Sequence, residues 1–161
     1  LIGGKIYEPQ KWMHNHQKES DIFKVQIYKD NGKGYQEEES EFIEDAYKGE
    51  NLIELEYAFD GNVQNLRIDP AFDSCTCKVQ EMTLNGESVP LGTRGILHVN
   101  GKVVKGKDEV SMVFATNDPN INISIHKLQP KAENHLYLRM EIVRLPMSMA
   151  EDIQKSVKIL F

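Results

Sequence analysis

The chain has 161 residues, of which 40% are hydrophobic and 27% charged, and a formal net charge of −6. That suits one globular domain whose core folds without a metal or a disulfide. The acidic balance and the lack of a dense basic cluster exclude nucleic acid as a partner, because such binding neutralises phosphates with Lys and Arg. No apolar run nears the ~18 residues of a membrane helix, so no membrane span is expected.

Residues 1–20 are mixed, with Gly3, Gly4, Pro9, Trp12, His14 and His16, and are expected to form an ordered arm or a short edge strand. Alternation begins at Ile22. Phe23, Val25 and Ile27 fall on one face; Lys24, Gln26 and Tyr28 fall on the other, which exposes Tyr28. Asp30-Asn31-Gly32-Lys33-Gly34 is a turn, Glu37-Glu38-Glu39 a solvated loop, and Phe42-Ile43 a short strand. After a turn at 47–51, Ile53, Leu55, Tyr57 and Phe59 alternate with Glu54, Glu56 and Ala58, the pattern of a half-buried strand. Asp60-Gly61 breaks it. Leu66 and Ile68 resume the inward set and stop at Pro70, leaving Arg67 and Asp69 together on the opposite side.

Cys75, Cys77 and Val79 alternate with Thr76, Lys78 and Gln80. Two cysteines at i and i+2 of a strand share a face, make a poor disulfide and fall short of a zinc ligand set, so the expectation is core packing in a reducing, cytoplasmic setting. Asn85-Gly86 and Asn100-Gly101 are turns, with a short strand over 95–99 between them. Val110, Met112 and Phe114 form the next inward set. After the Asn117-Asp118-Pro119-Asn120 turn come Ile121, Ile123 and Ile125, with Asn122, Ser124 and His126 facing out. Leu136, Leu138, Met140 and Ile142 give the clearest strand. Pro146 ends it, and Ser148 with Glu151 matches a capping box for a helix burying Met149, Ile153, Val157 and Leu160.

Eight or nine short strands with regular turn signals and no crossover helix predict an all-β fold, a jelly-roll or immunoglobulin-like β-sandwich over residues 1–146. Residues 147–161 form a C-terminal helix that packs on the sandwich or leads into another domain. The apolar end, Lys158-Ile159-Leu160-Phe161, suggests a piece of a longer polypeptide.

Chemistry is harder to read. The five histidines, His14, His16, His98, His126 and His135, accompany no nucleophile elbow. Gly32-Lys33-Gly34 lacks the following helix that a phosphate loop requires, and a glycosidase carboxylate pair cannot be singled out among so many acids. No metal site and no cofactor are expected. Sugar binding by a sandwich uses an aromatic platform with a few hydrogen-bonding side chains. Trp12, with Tyr28 and Tyr35 near it in sequence, is the candidate platform; packing over a sheet edge is the competing reading. Arg67 and Asp69 form either a structural ion pair at the strand end or part of a ligand-reading groove, and the structural pair is favoured.

Three stretches taken in order resemble a known arrangement. They are Tyr28-x-Asp30-x-Gly32-x-Gly34-Tyr35-x-Glu37, then Leu66-Arg67-Ile68-Asp69-Pro70, then Asn117-Asp118-Pro119-Asn120-Ile121. Over roughly residues 25 to 145 the chain resembles an accessory region of large bacterial glycosyltransferases, and of associated methyltransferases, that build surface polysaccharides. Gln36 stands where Ser is common there, and Asn117 where Asp is common. The resemblance implies a non-catalytic module that holds or positions a growing glycan. Its ligand-binding residues would be Trp12, Tyr35, Arg67, Asp69, Asn117 and Asp118, and its partners an adjacent catalytic domain of the same chain and an oligosaccharide. The alternatives are a structural or dimerisation module docking on a catalytic domain, and a glycan-acting hydrolase.

Overall fold

The computed structural model describes residues 24–105 and 109–157. The strands in chain order are β1 (Val25–Asp30), β2 (Glu41–Ile43), β3 (Leu52–Asp60), β4 (Asn65–Asp69), β5 (Cys75–Leu84), β6 (Glu87–Ser88), β7 (Leu97–Val99), β8 (Lys102–Lys105), β9 (Val110–Phe114), β10 (Ile121–Ile123) and β11 (Glu133–Arg144), followed by one helix, α1 (Met147–Ser156). Two antiparallel sheets result, ordered β2-β1-β4-β10-β7 and β3-β11-β5-β9-β8, with β6 hairpinned onto β5. The fold is an all-β sandwich with a C-terminal helix.

Period-two burial builds it. Every inward residue expected from Val25 to Ile142 is buried, and one continuous cluster joins both sheets; Phe23 lies outside the described residues. Each fully buried Leu or Ile contributes about 1.5–3 kcal/mol. Cys75 and Cys77 belong to this cluster as free thiols, their Sγ atoms 3.9 Å apart. The centre of the larger sheet is β11, paired along its length with β3 and β5. Its register with β5 shifts between Arg139 and Met140, where Gln80 is the additional residue. This bulge changes the inward phase of β5 from Cys75, Cys77 and Val79 to Met82 and Leu84.

The two Asn-Gly turns do different work. Asn85 and Gly86 both take positive φ, 54° and 84°, and close the β5–β6 hairpin. Asn100-Gly101 instead carries the chain from β7 in one sheet to β8 in the other. A Cβ at Gly101 would collide with the Val113 carbonyl oxygen and the Phe114 ring, so that crossing requires glycine. The chain returns from β9 to β10 through residues 115–120, and the crossings are joined: Asn100 Nδ2 donates to the Asp118 carbonyl (2.7 Å), and the Asn120 N–H donates to Asn100 Oδ1 (2.8 Å).

Four local expectations are corrected. Ile125 is buried but begins a 3-10 turn, Ile125–Lys127, because β10 stops at Ile123. Ser124 accordingly turns inward and is buried. The capping box does not form: α1 starts at Met147 with Pro146 at its N-cap and no side-chain cap, so Ser148 lies inside the helix. Tyr28 is buried rather than exposed, for a reason given below. The helix packs on its own sandwich, through Ala150, Met149 and Ile153 against Val113 and Leu145, and Gln154 Nε2 donates to the Val113 carbonyl (2.9 Å).

Candidate functional site

The smaller sheet turns its outer residues away from the core, and antiparallel register lines them up. Tyr28 faces Arg67, Arg67 faces Asn122, and Asn122 faces His98. Four strands therefore contribute one side chain each to a single row of about 14 Å, three inter-strand steps.

Arg67 organises the row. Its Nε and Nη2 donate to the two carboxylate oxygens of Asp69, both at 2.8 Å, the bidentate fork geometry that guanidinium and carboxylate favour. The guanidinium carbon also lies 4.6 Å from the centroid of the Tyr28 ring, a cation–π contact that roofs the tyrosine and accounts for its burial. Asp118 approaches Nη2 from the solvent side at 3.4 Å, its own side chain 66% exposed. Asp69 is almost wholly buried; burial pushes its carboxyl up, and Arg67 opposes that rise. Arg67 is held above its ordinary value chiefly by the hydrogen bonds to Asp69.

Tyr35 meets Tyr28 edge to face, ring centroids 6.3 Å apart. Its phenol is pushed up to about 12 by burial, with Asp30 adding to the rise and Arg67 opposing it. The loop that carries Tyr35 is tied down by Asp30, whose Oδ1 accepts from the N–H groups of Gly32 and Gly34, both at 2.8 Å, and whose Oδ2 accepts from Asn65 (3.0 Å). Burial alone would raise the Asp30 carboxyl, but these donors hold it below its ordinary value. Farther along the row, Asn122 Nδ2 donates to Asn120 Oδ1 (3.0 Å), which links the row to the paired crossings.

Of the six residues read from the sequence, Tyr35, Arg67, Asp69 and Asp118 share this outer face, and the exposed Asn117 adjoins Asp118 in the same turn. Trp12 lies outside the described residues. Arg67 and Asp69 form an ion pair at the strand end, and Arg67 still presents about a quarter of its side chain to solvent. Sequence reasoning missed His98, Asn100 and Asn120 as members of the site. Asn122 carried the one available signal, its outward parity in β10.

Chemically, this surface offers one guanidinium, the exposed Asp118 carboxylate, side-chain amides, an imidazole and a phenol to a ligand rich in hydroxyls. No group of three or more His, Cys, Asp or Glu side chains arranged to hold a metal occurs among the described residues, nor is any of their helices long and apolar enough to cross a membrane. A buried cation elsewhere is structural: Arg144 donates to the Glu50 carbonyl (3.1 Å) and lies 4.7 Å from the Tyr47 ring centroid, while the Tyr47 hydroxyl donates to the Pro70 carbonyl. The strand-end corner at Pro70 is thereby anchored to the other sheet. Comparison of the chain with protein-family models, curated proteins and solved structures finds no match.

Proposed function

We propose that this chain is a non-catalytic accessory module of a polysaccharide-assembling enzyme, a bacterial glycosyltransferase, and that it holds or positions the glycan on the outer face of the smaller sheet. The observation that carries the reading is the row Tyr28–Arg67–Asn122–His98, in which hydrogen-bonding groups from four strands lie in line. A row of that length suits a short oligosaccharide lying across the strands better than a single ring. The groups are fixed by their sheet and by one another, which lowers the ordering cost of binding. Arg67 roofs Tyr28, so its guanidinium supplies the flat surface that an open aromatic ring would otherwise present.

Titration against a panel of oligosaccharides is the test. Binding is expected in the millimolar range, about −4 kcal/mol, and Asn122→Ala, which removes an outward amide without stranding a charge, weakens it several-fold. No response at millimolar ligand contradicts the proposal. A second reading, a docking module for a catalytic domain or a second chain, is favoured by Phe42, 48% exposed on edge strand β2. It predicts association in light scattering that Phe42→Ser abolishes; a strict monomer counts against it.

A further inference from the structure

The row ends at His98, and His98 also lines a cleft. Strands β7 and β8 are the edge strands of their two sheets and lie at the same side of the sandwich. Between them opens a cleft of about 290 Å³ lined by Arg94, Gly95, Leu97, His98, Val99, Gly101, Lys102 and Val103. Its lining contains two full cations and no carboxylate. Arg94 is exposed and makes no ion pair among the described residues. Lys127 adds a third cation at the rim, its Nζ 2.8 Å from where a Gly95 Cβ would sit. Lys102 is steadied by donating to the Gln154 carbonyl of α1 (3.2 Å), which leaves it further protons to donate.

This concentration of positive charge stands out on a chain of net charge −6. The opposite side of the sandwich, where β2 and β3 are the edges, has a cleft lined by Asp45, Glu54 and Glu56 with Lys48. Four inter-strand steps separate β2 from β7, about 19 Å, more than two Debye lengths at physiological salt. The acids of the far side therefore do little to the potential at Arg94. Of the nearer carboxylates, Asp69 and Asp118 are turned onto Arg67, and Glu87 lines the neighbouring cleft that Lys127 borders.

We propose that the β7–β8 cleft is an oxyanion subsite, with Arg94, Lys102 and Lys127 as its cations, and that it takes the carboxylate or phosphate of an acidic glycan whose neutral hydroxyls lie along the Tyr28–His98 row. The proposal rests on the glycan reading of the sheet face and adds a ligand class to it: the saccharide is acidic. Arg94 is the main contact, since a guanidinium can bind an oxyanion through two parallel hydrogen bonds.

The test is calorimetric titration of the 161-residue chain with a galacturonate trisaccharide, its fully methyl-esterified neutral counterpart, and inorganic phosphate. The acid should bind at least about tenfold more tightly than the ester, the size expected of a charge-assisted hydrogen bond. Arg94→Ala should erase that preference and added salt should shrink it, while Lys48→Ala in the opposite cleft should leave it intact. Phosphate that competes with the trisaccharide and binds more tightly than it identifies phosphate as the preferred group; a weaker competitor identifies carboxylate. Equal binding of acid and ester, or a preference that survives Arg94→Ala, overturns the subsite and leaves the sheet-face reading standing. Phosphate binding that Arg94→Ala abolishes, with neither saccharide bound, upholds the anion subsite and defeats the glycan reading. Silence from all three probes overturns both.

Discussion

Asp69 has only 3% of its side chain exposed, yet it is a carboxylate. Such a group is tolerable because two guanidinium N–H groups meet it; remove the partner and the cost of an uncompensated buried charge appears. Asp69→Leu is expected to lower stability by about 1.5–3 kcal/mol in urea denaturation, since it strands Arg67 with the loosely held Asp118. The paired change Arg67→Met with Asp69→Leu should cost less than Asp69→Leu alone; a larger cost would refute a pair that mainly satisfies itself. Asp30 makes a prediction in pH. Its folded-state carboxyl titrates below the ordinary value despite some burial, because Gly32, Asn65 and Gly34 donate to it. Its stabilising contribution is therefore fully present above the unfolded carboxylate value, about pH 4, and is lost as pH falls through the lower folded value. Urea midpoints recorded from pH 6 down to about pH 2.5 should show an acid limb that Asp30→Asn flattens; an identical limb in the variant would mean the donors do not bias this carboxyl. Arg67 and Asp69 were legible as a pair because i and i+2 of a strand share a face. The burial of Tyr28 was not, because parity gives a face and cannot show that a guanidinium from another strand covers the ring.

Among the elements, β11 was the most legible, because its alternation runs unbroken and both of its neighbours bury the same face. Leu138 at its centre is fully buried. Leu138→Ala should cost about 2–5 kcal/mol, and Leu138→Asp should unfold the domain; a Leu138→Asp protein that melts like the parent would contradict the strand's place in the core. The β5 bulge was invisible, since a single additional residue only shifts the phase between two valid alternations. Ile125 misled for a similar reason: three isoleucines at period two read as one strand, but β10 ends where its partner β7 runs out, leaving the third to start a 3-10 turn. The helix was legible from its apolar spacing, while its start was not, because Pro146 already fixes a backbone suited to helix entry and no side-chain cap is used. Gly101 belongs to this scale too. Gly101→Ala forces backbone at Val113 to move and should destabilise the domain by more than Gly86→Ala, which incurs the strain of a side chain at φ 84° but whose added Cβ meets nothing within 4 Å; comparing the two melting temperatures checks it, and the reverse order would place the close crossing elsewhere.

For the whole molecule, turn spacing and alternation were sufficient for a sandwich, but neither encodes which strands are neighbours. The smaller sheet takes its members from positions scattered along the chain, and only that order brings Tyr28, Arg67, Asn122 and His98 into line. The same order sets a basic cleft at one side of the sandwich and an acidic one at the other, a polarity that summed charge conceals. The central claim is that ligand lies along this row and into the basic cleft. Residue-resolved NMR titration of the labelled chain with the galacturonate trisaccharide tests it most directly. Saturable amide shifts confined to β1, β4, β10, β7, β8, the loop around Arg94 and the turn at Lys127 are the expected result; shifts centred on β3, β11 or α1, or none at millimolar ligand, would contradict it.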